Sequence, residues 1–295
     1  MPSIVVVAGT NASGKSGLGV ELAQRYHGEI VSADSRQVFE KLDLGSGKIT
    51  QEEMNGVPHH LLDVCKPGDF FSMADYQQLA YQAIDGILKR GKRPFLVGGT
   101  GLYIAAVTEG YLLTGHAPDL AYREELEQYA TDELYAMLLK AMPDIQVEPN
   151  NRNRVMRVLE RLHDGSYHPS RKKQRYRSLK LGISWERTVL QERIEERLFR
   201  RLREGMIDEV QSLLNDDVSE EFLRKLGLEY RFIAQYLAGE IATEEEMTRL
   251  LAIAIRQFAK RQMTWFRRDK EIQWLDMTKD PLAEASGWID AFESE

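Results

Sequence analysis

The chain has 295 residues, is 43% hydrophobic and carries a formal net charge of −7, which is enough to bury a large core with a smaller unit beside it. No apolar run approaches the roughly 20 residues that cross a bilayer, and the N-terminus enters a strand without a signal-peptide charge pattern, so a cytoplasmic protein with no membrane partner is expected. The single cysteine, Cys65, excludes a disulfide framework and any cysteine-based zinc site.

Ser3 to Ala8 is short, apolar and rich in valine, as a buried parallel strand should be. It runs into Gly9-Thr10-Asn11-Ala12-Ser13-Gly14-Lys15-Ser16, which fits the phosphate-loop pattern G-x-x-x-x-G-K-[ST], and Lys15 to Tyr26 follows with helical spacing at Leu18, Leu22 and Ala23. In that geometry backbone N–H groups and the helix N-terminus converge on phosphate oxygens, Lys15 neutralises the anion, and the Ser16 hydroxyl can ligate Mg²⁺. A di- or triphosphate ligand is implied, with its chemistry left open.

Glu29 to Ala33 predicts a second strand, delivering Asp34-Ser35-Arg36-Gln37 at its carboxyl end, where ligands sit in open α/β sheets. Asp34 reads either as a general base or magnesium partner, or as a turn or N-cap aspartate. Residues 42 to 58 read as a long loop containing Gly45-Ser46-Gly47-Lys48, and His59 to Val64 as a further strand whose adjacent histidines face opposite ways. Ser72-Met73-Ala74-Asp75 is a capping-box variant opening a helix that Gly91 closes. Arg93 to Val97 predicts another buried strand ending in Gly98-Gly99-Thr100-Gly101, a second glycine-rich turn suited to contacting ligand. The β-α-β, loop, β-α-β order argues for a parallel sheet flanked by helices.

From about Pro118 to Arg177 strand signals vanish and helical runs take over, as in an insertion. Between residues 151 and 180, ten Lys and Arg side chains stand against Glu160 and Asp164, with Tyr167, His168 and Tyr176 interleaved; this basic stripe in an acidic protein suits nucleic acid better than a plain solvated face. The remainder reads as helical: one long helix from Trp185 to Leu214 with Arg193, Arg197, Arg200, Arg201 and Arg203 on its polar side, and another opened by Thr243, on which Arg256, Lys260 and Arg261 precede Trp265. No apolar run ends in the Asp-Glu of a hydrolytic Walker B element, which favours a transferase over an ATP-driven motor.

These residues give the chain a nearly full-length resemblance to the tRNA dimethylallyltransferases. The resemblance is carried by GTNASGKS at Gly9, DSRQVF at Asp34, GSGKIT at Gly45, GVPHHLLDV at Gly56, GGTGLYI at Gly98, RVMRVLE at Arg154 and RQFAKRQMTWFR at Arg256. It implies a P-loop NTPase-like α/β fold, with a catalytic core of residues 1–115 and 180–295 and a helical basic insertion of 116–179 that contacts tRNA. The loop from Gly9 to Ser16 would hold the diphosphate of dimethylallyl diphosphate instead of ATP, with Mg²⁺ at Ser16. The prenyl group would pass to the exocyclic amine of the adenine immediately 3′ of the anticodon.

By the same resemblance Asp34 matches the general base, Thr100 a contact near the reacting base, and Arg197 the arginine that neutralises the leaving diphosphate. Asp34, Ser35, Arg36, Gln37, Thr100, Arg123, Asn153, Arg154 and Arg157 match tRNA contacts, and a monomer is the expected state. The chain departs from the family at Leu226-Gly227-Leu228-Glu229-Tyr230-Arg231, where a Gly-Tyr-Lys-Glu-like string linked to tRNA is usual. Prenylation of free adenine nucleotides, a P-loop small-molecule kinase and a nucleotide-gated RNA-binding module are the competing readings.

Overall fold

Valine-rich strands with no polar face must be covered on both sides, and that requirement sets the architecture. In the computed structural model, residues 1–113, 119–167 and 171–294 are described; His168 and the expected start of the insertion at 116 lie outside them. Strand β1 (Ser3–Ala8) leads through the phosphate loop into α1 (Lys15–Arg25). Then come β2 (Gly28–Ala33), the short α2 (Gln51–Met54), β3 (His59–His60), α3 (Met73–Lys89), β4 (Arg93–Gly98) and α4 (Gly101–Ala105), which runs on into a π-helical turn at Ala106–Gly110. Three helices follow, α5 (Leu120–Glu127), α6 (Thr131–Ala141) and α7 (Arg152–His163). The chain returns as β5 (Arg177–Ser184), α8 (Arg187–Arg203), α9 (Met206–Asn215), α10 (Glu220–Leu226), α11 (Leu228–Leu237), α12 (Glu244–Phe266), β6 (Gln273–Asp276) and α13 (Pro281–Ser294).

The six strands form one sheet in the order β3-β2-β4-β1-β5-β6, and every pairing is parallel. One face, with Ile4, Val6, Val31 and Leu96, packs on α3 and on the helices after β5; the other, with Val5, Val7, Phe95 and Leu181, packs on α1 and α13. Register fixes the functional edge: Ala8 and Ala33 both stand opposite Gly98, so the carboxyl ends of β1, β2 and β4 lie side by side.

The chain divides into two compact units, Met1–Gly110 with Gln174–Glu295, and Tyr111–Lys173. The second unit is a three-helix cluster around Leu126, Leu134, Leu138, Val155 and Leu159. Within it Arg152 is structural, donating to the carbonyls of Tyr129 at 2.7 Å and Glu127 at 3.0 Å just beyond and at the end of α5.

The structure corrects four expectations. The strands β5 and β6 lie in stretches read as basic stripe and helix; β5 was hidden because Arg177 and Lys180 interrupt Leu179, Leu181 and Ile183, yet Lys180 is buried and held by Asp269 at 2.7 Å and Glu271 at 2.8 Å. Tyr176 is fully buried with its hydroxyl donating to Asp85 at 2.7 Å, so it does not stack on nucleic acid. The helix expected from Trp185 to Leu214 breaks at Gly205, whose φ of +99° lies in the left-handed region and starts α9 in a new direction. The strand expected from His59 to Val64 ends at His60, because Leu61 and Asp63 take φ values of +65° and +54°.

Candidate active site

The phosphate loop curls between β1 and α1, with Ala12 and Gly14 at φ +59° and +88°, the left-handed turns by which a loop of this kind can aim backbone N–H groups at an anion beside the helix N-terminus. Trp185 Nε1 donates to the Ser13 carbonyl at 2.8 Å and Arg193 Nε to the Ala12 carbonyl at 3.1 Å, which ties the outward carbonyls down. The buried Ser13 hydroxyl has no hydrogen-bond partner among the described residues, as befits a donor waiting for an anion. Lys15 is 8% exposed, and burial, followed by the charge of Arg197, lowers its pKa to about 8, while Asp34 opposes the shift.

Asp34 leaves β2 at the edge that register shares with the phosphate loop. Its Oδ1 accepts from the Arg36 amide at 3.0 Å, the turn-aspartate geometry, while its other oxygen has no protein partner among the described residues. The Ser35 amide donates to Thr100 Oγ1 at 3.0 Å and Thr100 N to the Ala33 carbonyl at 3.0 Å, so the second glycine turn is stitched to the turn that carries Asp34. Behind Asp34, Tyr76 and Tyr103 stack with centroids 3.8 Å apart. Arg36 and Gln37 turn inward: Arg36 pairs with Glu229 at 2.7 Å, and Gln37 donates to the Gly47 carbonyl at 3.1 Å.

Opposite the loop, Arg197 and Arg201 project from α8 into a narrow cleft lined also by Asn11, Ala12, Glu229 and the apolar Ile194, Leu198 and Ile255. Burial, then Arg201, brings the Arg197 pKa down to about 9. Of the arginines expected on that helix face, Arg193 serves the loop and Arg200 and Arg203 face solvent. Lys260 and Arg261 on α12 and Arg268 just beyond it line an open groove with Trp265.

In the second unit Arg123 and Arg157 converge on the buried Glu160, at 3.5 and 2.9 Å, whereas Asn153 and Arg154 are exposed in the first turn of α7. Among the described residues no three His, Cys, Asp or Glu side chains group to hold a metal. The Ser16 hydroxyl, in the first turn of α1, makes no hydrogen bond among them and fits a Mg²⁺ that keeps its waters and is held mainly by substrate phosphates.

Sequence reasoning missed Gln262 and Glu229. Gln262 lies buried on α12, accepting from the Asn11 amide at 3.0 Å and donating to the Gly99 carbonyl at 2.9 Å, so one side chain clamps the two glycine turns together. It sits inside the RQFAKRQMTWFR string, the one local signal available.

A phosphate loop, a carboxylate and a threonine turn on one sheet edge, faced by unpaired arginines, is the geometry of phosphate-ester or diphosphate chemistry on a second substrate. The family model for IPP transferase matches residues 37–269, and that for isopentenyl transferase matches residues 2–68. The chain belongs to the IPP transferase family. It is 44% identical to tRNA dimethylallyltransferase 2 of Shewanella sediminis over 96% of each chain, and 39% identical to tRNA dimethylallyltransferase of Bacillus licheniformis over 94% of this chain and 91% of that one. The crystal structure of the full-length tRNA isopentenylpyrophosphate transferase of Bacillus halodurans superposes with a TM-score of 0.75 at 36% identity, covering 100% of this chain and 99% of that one. As in that IPP transferase, the chain has an α/β fold built on a parallel sheet. No helix among the described residues is long and apolar enough to cross a membrane.

Proposed function

We propose that this IPP transferase carries a dimethylallyl group from dimethylallyl diphosphate to the exocyclic N6 of the adenosine immediately 3′ of the anticodon, in tRNAs reading codons that start with U. The observation that carries the reading is the strand register, which sets the phosphate loop, Asp34 and Thr100 along one edge of the sheet. The C1–O bond of the donor breaks with its electron pair staying on the diphosphate; the adenine N6 supplies the pair for the new C1–N bond, and its proton goes to the free oxygen of Asp34. An exocyclic amine is a weak nucleophile, and a placed base of this kind typically adds ~10²–10⁴-fold in rate.

Gly9 to Ser16 hold the diphosphate, with the loop amides not already bonded to Gly98 and Gln262 as donors, and Lys15 and Arg197 meet the charge as it grows on the leaving oxygen. Ser16 would hold a Mg²⁺ that enters with the diphosphate, and the ion would supply further neutralisation of that charge. Thr100 and Ser35 fix the turn that carries Asp34. Contacts to tRNA come from Ser35, Arg36 and Gln37 in the first unit and from Arg123, Asn153, Arg154 and Arg157 in the second. The target adenine leaves its stack to reach the donor, which costs a few kcal/mol and least in an anticodon loop. The protein acts as a cytoplasmic monomer.

The test is incubation with labelled dimethylallyl diphosphate, Mg²⁺ and unmodified tRNA, followed by mass spectrometry of the nucleosides. Prenylated adenosine at the position after the anticodon is expected; label in free adenylate only, or none in RNA, sinks the assignment.

A further inference from the structure

On α8, Arg201 stands four residues after Arg197, one turn along the same face. Both guanidinium groups rest against Gly47, where a Cβ would collide with each, and both line the cleft beside Asn11 and Ala12. Neither makes a hydrogen bond or ion pair with protein among the described residues. Of the carboxylates that act on Arg201, Glu229 and Glu204, the stronger is Glu229, whose Oε2 is engaged by Arg36 at 2.7 Å. Four cations, Lys15, Arg36, Arg197 and Arg201, therefore surround this space against two carboxylates, Asp34 and Glu229. A partly apolar cleft with two unpaired guanidinium groups is costly to hold, and an anion of more than one negative charge offsets that cost.

We propose that Arg201 is a second arginine on the leaving diphosphate. It rests on the prenyl-transfer reading above. As the C1–O bond breaks and its electron pair remains on the diphosphate, the anion is gripped by loop amides and Lys15 on one side and by both α8 arginines on the other. Planar guanidinium forks on successive turns can each present paired N–H groups to phosphate oxygens, which an ammonium cannot.

The test compares the parent protein with Arg201→Met and Arg201→Lys in two measurements: calorimetric binding of pyrophosphate with Mg²⁺, and steady-state transfer to tRNA. For Arg201→Met we expect pyrophosphate affinity to fall about tenfold and kcat about 100-fold, the usual scale for losing one charge-stabilising donor, with the tRNA KM unchanged. Arg201→Lys should recover much of the affinity and little of the rate, and it carries the same comparison if Arg201→Met does not fold. Pyrophosphate affinity and kcat within twofold of the parent in both variants would overturn the proposal. Arg201-dependent pyrophosphate binding in a parent protein that prenylates no tRNA would instead refute the assigned reaction and leave the anion site standing.

Discussion

The Arg197 charge acts directly on Lys15, and after burial it is the largest cause of the fall in the Lys15 pKa to about 8. Both cations thus pay for their closeness only until an anion arrives between them. Donor binding should reverse the shift, because a diphosphate favours the charged form of every group around it.

Affinity for donor is therefore expected to fall as pH rises through about 8, where the free enzyme loses the Lys15 proton. The sign follows from linkage: the bound state holds a proton that the free state gives up, so alkaline conditions oppose binding. A profile of kcat/KM for dimethylallyl diphosphate between pH 6.5 and 9.5 checks this. Lys15→Arg, which stays charged throughout, should flatten the limb; a limb that persists in that variant would assign it to another group.

Replacing Asp34 with Asn removes the proton acceptor but keeps the turn, since the amide oxygen can still accept from the Arg36 amide. Transfer should drop by about 10²–10⁴-fold while tRNA affinity changes little. Single-turnover rates with saturating donor, set beside filter binding of tRNA, separate the two. Loss of tRNA binding in step with rate would give Asp34 a recognition role instead.

The parts of this site that were legible in the sequence are those whose signal is local. Gly9 to Ser16, Asp34 and Thr100 each follow a short buried strand, and a parallel sheet brings such ends together once register is set. The arginine partners were not legible in the same way. Arg201 looked like one more cation on a charged helix face, and only the cleft distinguishes it from exposed Arg200 and Arg203. Glu229 lies 193 residues from Arg36, and no periodicity links them. The basic stripe misled because charge in a sequence does not reveal pairing: Lys180 and Arg175 are matched by carboxylates, and Glu160 takes up Arg157 and Arg123.

That pairing separates two arginines otherwise alike. Arg154 is exposed, so Arg154→Ala should weaken tRNA binding and reduce the slope of log K against log salt by about 1, leaving stability unchanged. Arg157→Ala also removes the closer of the two arginines from the buried Glu160 carboxylate, leaving only Arg123 at 3.5 Å, so it should lower the melting temperature as well. Salt titrations and thermal melts of both variants make the comparison; an unchanged slope in Arg154→Ala removes that residue from the RNA interface.

Gln262 joins the Asn11 amide to the Gly99 carbonyl, and both groups lose their partner in Gln262→Leu. Each buried group left unsatisfied costs about 1–3 kcal/mol, so the melting temperature should fall by several degrees. The clamp also sets the spacing of the two turns, so kcat should fall further than tRNA affinity. Gln262→Glu tests the direction of the bonds: it can still accept from Asn11 but sets a carboxylate against the Gly99 carbonyl, and it should be no better than leucine. Wild-type turnover in either variant would reduce Gln262 to a packing role.

Acid stability should depend on Glu29, far from the chemistry. Burial of this β2 carboxyl pushes its pKa up, but hydrogen bonds from Arg90 at 2.6 Å, His60 at 2.7 Å and Lys92 at 3.0 Å outweigh burial and hold it at about 2, below its ordinary 4.5. A carboxyl depressed by folding contributes stability that is full above the unfolded value and disappears as pH falls through the folded one. The wild-type urea midpoint should accordingly decline between about pH 4.5 and pH 2 more steeply than that of Glu29→Gln, which has no proton to take up there. At pH 7 the order of stability is set by the lost ion pairs, and the variant should be the weaker protein. Parallel acid limbs in the two proteins would place the titrating carboxylate elsewhere in the fold.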